Sequence, residues 1–186
     1  MSAMPQPDAK TKEPVLCIDL DGTLIRDDAS VKSFLHLLRR NPLRIFSALL
    51  WLRRGRVHLK RQIALRIPLD PAAFSYREDV LAFLKEEQAR GRKLVLATAS
   101  DQIYADAISS HLGIFSEAIG SDGVINLSGK RKRAALQARF GLFSYMGNSR
   151  DDLAVWRGAE EAIAVATPPS VLRELRKFKN PTRVFP

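Results

Sequence analysis

The chain has little cysteine and little histidine, and both shortages limit its chemistry. Cys17 is the only cysteine among 186 residues, so no disulfide can form within the chain. Its place in an apolar run predicts a small buried side chain rather than a reactive thiol. The three histidines, His36, His58 and His111, are too scattered to provide the usual ligand spacing of a zinc site.

Long apolar runs are missing as well. Residues 1–14 are polar, contain three prolines and lack the apolar segment of a cleaved leader, so we expect a disordered N-terminal tail and a cytoplasmic location. The most apolar stretch, residues 43–52, has eight apolar residues in ten, whereas a bilayer span needs about twenty. The overall apolar content of 46% is nevertheless enough for one domain with a real core.

Negative charge is absent from one long segment. The chain holds 30 basic residues, and ten of them fall between Ala29 and Leu69, where there is no aspartate or glutamate. The remainder has 20 basic against 20 acidic residues, so the net charge of +10 resides in this basic segment (residues 29–69). Its basic residues are Lys32, Arg39, Arg40, Arg44, Arg53, Arg54, Arg56, Lys60, Arg61 and Arg66.

Three interpretations of the basic segment stay open. A short apolar run flanked by arginines, with Trp51 near its edge, is typical of a helix lying in the interface of an anionic membrane. A helix that packs its apolar face on the core or on a partner subunit would have the same composition. Basic residues interleaved with Phe34, Phe46 and Trp51 also suit a phosphate backbone, but no recognised nucleic-acid module accompanies them, so nucleic acid is the least favoured partner.

Two carboxylates stand two residues apart directly after the apolar run Val15–Ile18. Asp19 and Asp21 are followed by Gly22, which allows the backbone to turn. Alternation along a strand would point both carboxylates to the same side. Buried carboxylates need a compensating cation or a shared proton, so the pair predicts a metal site, a catalytic site or both. The alternatives are a plain surface turn and a Ca²⁺ loop, and the latter lacks its remaining oxygen ligands downstream.

Short apolar runs alternate with helical patterns along most of the chain. Five runs predict buried parallel strands at Val15–Asp19, Lys93–Thr98, Glu117–Ser121, Phe143–Gly147 and Ala162–Ala166. Helical spacing predicts helices at Glu78–Arg90, Asp101–Leu112, Lys130–Phe140 and from Thr167 to about Phe178. The alternation predicts an α/β fold with a doubly wound parallel sheet. In such sheets the ligand crevice lies beyond the carboxyl ends of the strands, where Asp19, Thr98 and Asn148 fall.

Four segments occur in a characteristic order: DLDGTL at 19–24, TAS at 98–100, Lys132 at the start of a helical pattern, and GNSRDD at 147–152. They resemble the four motifs of the haloacid dehalogenase (HAD) superfamily of phosphatases and phosphotransferases. Lys132 best fits the family's Lys-xxx-Leu spacing, and Lys130 is the reserve candidate. The resemblance implies a Rossmann-like HAD core with a small helical cap inserted between the first and second motifs.

Further segments are similar to the HAD domain found fused ahead of UbiA-type membrane prenyltransferases: Asn41-Pro42, Trp51–Arg56, Leu59–Arg61, Leu96–Asp101, His111–Gly113 and Asp152–Trp156. After the N-terminal tail (1–14), the resemblance implies a HAD core formed by residues 15–28 and 75–186, with a cap formed by residues 29–74. It also implies a lipid-linked or prenyl-linked phosphate as substrate, a place at the inner face of the membrane and a functional association with a prenyltransferase. We expect no membrane domain within the 186 residues up to Pro186.

The family's catalytic roles carry over to the matching positions. Asp19 would be the nucleophile that forms an aspartyl-phosphate. Asp21 would protonate the leaving oxygen and then deprotonate the attacking water. Thr98 with its neighbour Ala99, together with Lys132, would bind the phosphoryl oxygens. The resemblance therefore implies a HAD-type phosphatase, which is a phosphoric monoester hydrolase.

Mg²⁺ is the cofactor that the resemblance implies, because an anionic nucleophile must approach an anionic phosphate. Its protein ligands would be Asp19, the main-chain carbonyl of Asp21, and Asn148, with Asp152 in support. Asn148 stands where the family usually has aspartate, which removes a negative charge and should weaken metal binding. We therefore keep a second hypothesis of a different class, in which a catalytically weakened HAD fold binds anionic lipid or a protein partner.

Overall fold

Six parallel strands form one sheet in the computed structural model, which describes residues 13–40, 44–180 and 182–186. The strands are β1 (Val15–Ile18), β2 (Leu94–Asp101), β3 (Glu117–Ser121), β4 (Phe143–Gly147), β5 (Ala162–Val165) and β6 (Thr182–Phe185). Their order is β3-β2-β1-β4-β5-β6, and each neighbouring pair is parallel. The predicted doubly wound α/β fold is confirmed.

Some sequence-based expectations fall outside this description. The predicted tail at 1–14 is described only at Glu13 and Pro14, and Asn41-Pro42 is not described. Within the first two helices, the structure describes only the backbone at Ser30, Phe34, His36, Leu37, Leu38, Arg40, Arg44 and Ile45.

Helices connect the strands. Between β1 and β2 the chain forms α1 (Ala29–Arg40), α2 (Arg44–Arg53), α3 (Arg56–Ala64) and a 3-10 turn (Pro71–Ala73), followed by α4 (Glu78–Ala89). The later helices are α5 (Gln102–Leu112), α6 (Gly129–Phe140), α7 (Leu153–Trp156) and α8 (Pro169–Leu175). Within the described ranges, no helix combines the length and the apolar content that a bilayer crossing requires.

The strands β1, β2, β4 and β5 are buried on both faces, and strand alternation decides which residues face which layer. In β1, Leu16 and Ile18 pack in one apolar cluster with residues of α4 and α5. Cys17 points to the opposite face and belongs to a second cluster with residues of α6, α7 and α8. Tyr145 of β4 lies in this second cluster, so its ring faces the layer that contains α6.

Several boundaries differ from the sequence pattern, and one strand is not predicted by it. β1 ends at Ile18, so strand alternation does not extend to Asp21, which lies in the loop. β2 continues beyond the predicted Thr98 to Asp101. The pattern does not predict β6, whose largely exposed residues form a strand only because β5 offers a free edge beside them.

Candidate active site

The carboxyl ends of β1, β2 and β4 bring three of the four motifs together. Ile18 of β1 lies opposite Leu96 of β2 on one side and opposite Met146 of β4 on the other. The next residue, Asp19, donates its N–H to the carbonyl of Met146 at 2.9 Å. Because parallel strands end at the same edge of the sheet, the residues that follow them converge there.

Lys132 binds Asp19 directly. Its Nζ lies 2.6 Å from Asp19 Oδ1, and both side chains are buried. Lys132 is on the buried face of α6, one turn before the buried Leu136, which explains the Lys-xxx-Leu spacing. Lys130, the reserve candidate, is exposed. The structure therefore brings Lys132, and not Lys130, to the first motif.

Burial and charge act in opposite directions on this ion pair. The pKa of Asp19 is raised to about 7, mainly by burial. The Lys132 ammonium lowers this pKa, and the Asp152 carboxylate raises it further. Burial lowers the pKa of Lys132, but the Asp19 and Asp152 carboxylates raise it by more, so its pKa lies above the ordinary value. The ammonium therefore stays charged, next to a carboxylate whose protonation is sensitive to further charge.

Tyr145 connects Lys132 to Asp152. The Lys132 Nζ donates to the Tyr145 hydroxyl at 2.9 Å, and that hydroxyl donates to Asp152 Oδ1 at 2.7 Å. Burial, followed by the nearby carboxylates, raises the pKa of Tyr145 well above its ordinary value, so the phenol keeps its proton and remains a donor. Trp156 packs edge-on against the Tyr145 ring at 6.4 Å between centroids. The ring therefore has little freedom to turn.

Asp152 organises the loop after β4. Its Oδ2 accepts hydrogen bonds from the backbone N–H groups of Asn148 and Ser149, at 3.0 and 2.9 Å, and from the Ser149 hydroxyl at 2.9 Å. Together with Tyr145 on Oδ1, these donors engage both carboxylate oxygens. The contacts fit the supporting role expected of Asp152, while its direct binding of a metal stays a prediction.

Asp21 faces different partners from Asp19. Its Oδ1 accepts the N–H of Ala29, the first residue of α1, at 2.7 Å, and its Oδ2 accepts the Ser100 hydroxyl at 2.7 Å. The N–H of Ser100 donates to Thr98 Oγ1 at 2.9 Å, which connects the first motif to the second. Burial, and then the charge of Asp28, raise the pKa of Asp21, whereas its two hydrogen-bond donors lower it. The net upward shift favours a carboxyl group that can carry a proton.

Asn148 lies against the turn at Gly22. Gly22 has φ +76, and a Cβ at that position would collide with the amide nitrogen of Asn148. The side chain of Asn148 is thus next to the residue that follows Asp21. Asn148 therefore lies beside the backbone that follows Asp21, while its binding of a metal together with Asp19 and the Asp21 carbonyl stays a prediction.

The inserted helices reach this corner through α3. Lys60 Nζ donates to the carbonyl of Ala99 at 3.1 Å, between Thr98 and Ser100. The next residue, Arg61, forms an ion pair at 2.9 Å with Asp101, whose side chain is 1% exposed. α3 is therefore attached to β2 at the end of the second motif.

Sequence analysis missed three residues of the site. In the sequence Ser100 is only the last residue of the second motif, yet its hydroxyl binds Asp21. Tyr145 has the pattern of a core strand residue, and no sequence signal separates it from one. Lys60 lies among ten basic residues, and only the docking of α3 distinguishes it from the others.

Comparisons with known proteins fit this geometry. Residues 16–157 match the haloacid dehalogenase-like hydrolase family. An uncharacterised protein, y4nM, of Sinorhizobium fredii (strain NBRC 101917 / NGR234) is 38% identical over 155 residues, which are 83% of this chain but 30% of that protein. The chain thus spans less than a third of that relative's length, and the match does not address the finer resemblance to domains fused to prenyltransferases.

Solved structures share the fold at low sequence identity. A protein of unknown function from Bordetella pertussis Tohama I has a TM-score of 0.67 at 16% identity, over 95% of this chain and 99% of that one. A substrate-bound phosphoserine phosphatase has a TM-score of 0.60 at 14% identity, over 89% of this chain and 91% of that one. Fold, motif order and the family match lead to one conclusion: the chain belongs to the haloacid dehalogenase-like hydrolases.

Proposed function

We propose that the chain is a Mg²⁺-dependent phosphomonoester hydrolase that works through an aspartyl-phosphate on Asp19. The observation that carries this proposal is the 2.6 Å contact between Lys132 Nζ and Asp19 Oδ1 in a buried corner of the site. A buried ammonium at this position can neutralise the nucleophile and then stabilise the oxygens of an incoming phosphoryl group.

The two aspartates divide the chemistry. Asp19 attacks phosphorus, the bond from phosphorus to the leaving oxygen breaks, and Asp21 gives its proton to that oxygen. In the second half, Asp21 takes a proton from water as the water oxygen attacks phosphorus, which releases inorganic phosphate and restores Asp19. The raised pKa of Asp21 suits the first role, because the group must hold a proton before it can donate one.

Thr98, Ala99 and Lys132 are proposed to hold the phosphoryl oxygens. Thr98 Oγ1 already accepts the N–H of Ser100, so its hydroxyl proton is left to donate. Lys132 has three N–H groups and uses two of them on Asp19 and Tyr145. Each therefore retains a donor for the substrate.

The residues around Gly22 suit Mg²⁺. Asp19, the Asp21 carbonyl and Asn148 offer only hard oxygen ligands, and no described residue donates a hydrogen bond to Asp19 Oδ2. Asp152 would support the metal site indirectly, since it accepts a hydrogen bond from the backbone N–H of Asn148. The described residues contain no group of three or more His, Cys, Asp or Glu side chains that could hold a metal, so the proposed site depends on the Asp21 carbonyl and the Asn148 amide beside the Asp19 carboxylate. When bound, Mg²⁺ supplies positive charge that lets the carboxylate and the phosphate meet.

Phosphate release from p-nitrophenyl phosphate tests the proposal. The full chain should release phosphate only with Mg²⁺, Asp19→Asn should abolish the release, and Asp122→Asn, which changes an exposed carboxylate outside the site, should not. Intact mass after acid quenching should reveal a phosphoryl group on the wild type. If no phosphate ester is hydrolysed at high Mg²⁺ but Asn148→Asp restores hydrolysis, the chain is instead the weakened binding module.

We further propose a lipid-linked or prenyl-linked phosphate as substrate. Support comes from the exposed face of α2, where Phe46, Leu49 and Leu50 are 66%, 55% and 63% exposed and Arg53 continues the same stripe. α1 adds the exposed Val31 and Leu35. A face that combines large apolar side chains with arginines suits the interface of an anionic membrane better than it suits nucleic acid. In this proposal the cap (29–74) rests on the inner face of the membrane, where a prenyltransferase could act on the same lipid.

Vesicle sedimentation separates the lipid interpretation from packing on a protein. The chain should sediment with phosphatidylglycerol vesicles at low salt, and salt should weaken binding because it screens charge. Replacing Arg53, Arg54 and Arg56 by Gln should release the protein, whereas the same change at Arg173, Arg176 and Lys179 should have a smaller effect. Phe46→Ser with Leu50→Ser should also release it. Protein that stays in solution at low salt would contradict the lipid interpretation.

A further inference from the structure

Lys60 differs from its basic neighbours by where its charge lies. Its ammonium is 3.1 Å from the carbonyl of Ala99, in the middle of the second motif. The described residues place no carboxylate within ion-pairing distance of it, whereas the adjacent Arg61 is neutralised by Asp101 at 2.9 Å. A partly buried positive charge with only a carbonyl as partner can bind an anion without first breaking an ion pair.

Lys60 and Lys132 also lie beside different aspartates of the site. Lys132, from α6, binds Asp19, which is the proposed nucleophile. Lys60, from α3, lies near Ser100, whose hydroxyl binds Asp21, and its charge is close enough to lower the pKa of Asp21. Asp21 protonates the leaving oxygen in the proposed reaction, so a cation beside it faces the leaving group and not the transferred phosphoryl group.

We propose that Lys60 binds a second anionic group, a carboxylate or a further phosphate, on the leaving group of the substrate. The inference rests on the proposed function, because that function defines the leaving-group side. Arg61 and Asp101 hold α3 in place, so that Lys60 is presented to the site in a fixed position. The preferred substrates would then be phosphomonoesters that carry at least one more negative charge.

Two matched substrate pairs test this proposal in the full chain with Mg²⁺. Glycerol 3-phosphate and 3-phosphoglycerate differ by a carboxylate, and glucose 6-phosphate and glucose 1,6-bisphosphate differ by a phosphate. The wild type should favour the more anionic member of at least one pair, which also tells the two anions apart. Lys60→Met should reduce that preference, measured as the ratio of kcat/KM for the two members of a pair, about tenfold and mainly through the KM of the more anionic member. Lys60→Arg should retain part of the preference.

Arg56→Met is the control, because Arg56 is exposed and begins the same helix one turn earlier. It should leave the preference unchanged. Two results would overturn the proposal: a wild type without preference in either pair, or a Lys60→Met variant that loses equal activity on both members. Lys60 would then serve only as a structural contact between α3 and β2. If no compound is hydrolysed, the proposed function fails, and calorimetric affinities for the same four compounds still decide whether Lys60 binds the second anion.

Discussion

Lys132 and Asp19 are 113 positions apart in the sequence, yet they form a buried ion pair 2.6 Å long between α6 and the end of β1. Removing one partner of such a pair leaves the other charge without compensation. The pair therefore matters both for the proposed chemistry and for the stability of the surrounding layer.

Lys132→Met should reduce kcat/KM for p-nitrophenyl phosphate by about 10²–10³, because it removes a positioned donor to the developing charge. Lys130→Met is the matched control, since Lys130 is exposed on the same helix. Steady-state kinetics measures both. Equal losses in the two variants would show that the general charge of α6, rather than the contact to Asp19, supports activity.

Tyr145→Phe should reduce kcat roughly three- to tenfold, because Lys132 and Asp152 would lose the hydroxyl that joins them. The unfolding free energy should fall by about 1–3 kcal/mol for the buried groups left without a partner. Tyr104→Phe is the control: it removes another buried hydroxyl, bound to the Ile67 carbonyl, and should affect stability alone. Denaturant titrations and kinetics together test this expectation.

Gly22→Ala should be more damaging than its backbone strain alone predicts. Gly22 and Gly91 both have positive φ, at +76 and +86, which costs an alanine roughly 1–2 kcal/mol. Of these two positions, Gly22 alone would bring the new Cβ against another group, the Asn148 amide. Gly91→Ala should therefore lower the melting temperature with full activity, while Gly22→Ala should also lose Mg²⁺-dependent activity. Full activity of Gly22→Ala would place Asn148 outside the metal site.

Asn148→Asp should lower the Mg²⁺ concentration at half-maximal activity by about tenfold, because a carboxylate restores the negative charge that the amide lacks. Asn126→Asp makes the same chemical change in the loop before α6 and should leave the Mg²⁺ dependence unchanged. Activity measured against Mg²⁺ concentration distinguishes the two. An unchanged midpoint for Asn148→Asp would remove this residue from the proposed ligands.

Cys17 should resist thiol reagents in the folded protein. Burial raises its pKa from an ordinary 9.0 to about 12, and a raised pKa keeps the thiol in its neutral, unreactive form at pH 8. An aromatic disulfide reagent should therefore react slowly with native protein and quickly in guanidinium. Rapid reaction of the native chain at pH 8 would mean that β1 opens readily. Cys17→Ala serves as the blank.

Much of the fold could be read from local patterns, because each pattern depends on neighbours in sequence. Five strands and the helices α4, α5, α6 and α8 follow from apolar runs and helical spacing, and glycines such as Gly113 end helices in the left-handed conformation. The spacing did not predict the short helix α7. β6 did not follow, since its four residues are largely exposed and depend on the edge of β5. The last helix ends at Leu175, before the predicted Phe178.

The amino-acid sequence alone determined the motif order and therefore the family, together with the ends of β1 and β4, after which Asp19 and Asn148 lie. Tertiary structure decided which side chains meet. It selected Lys132 over Lys130, placed the Tyr145 hydroxyl between Lys132 and Asp152, and brought Lys60 to Ala99. The physical reason is range: helix and strand patterns arise from residues a few positions apart, whereas these contacts depend on how separate layers pack across a sheet.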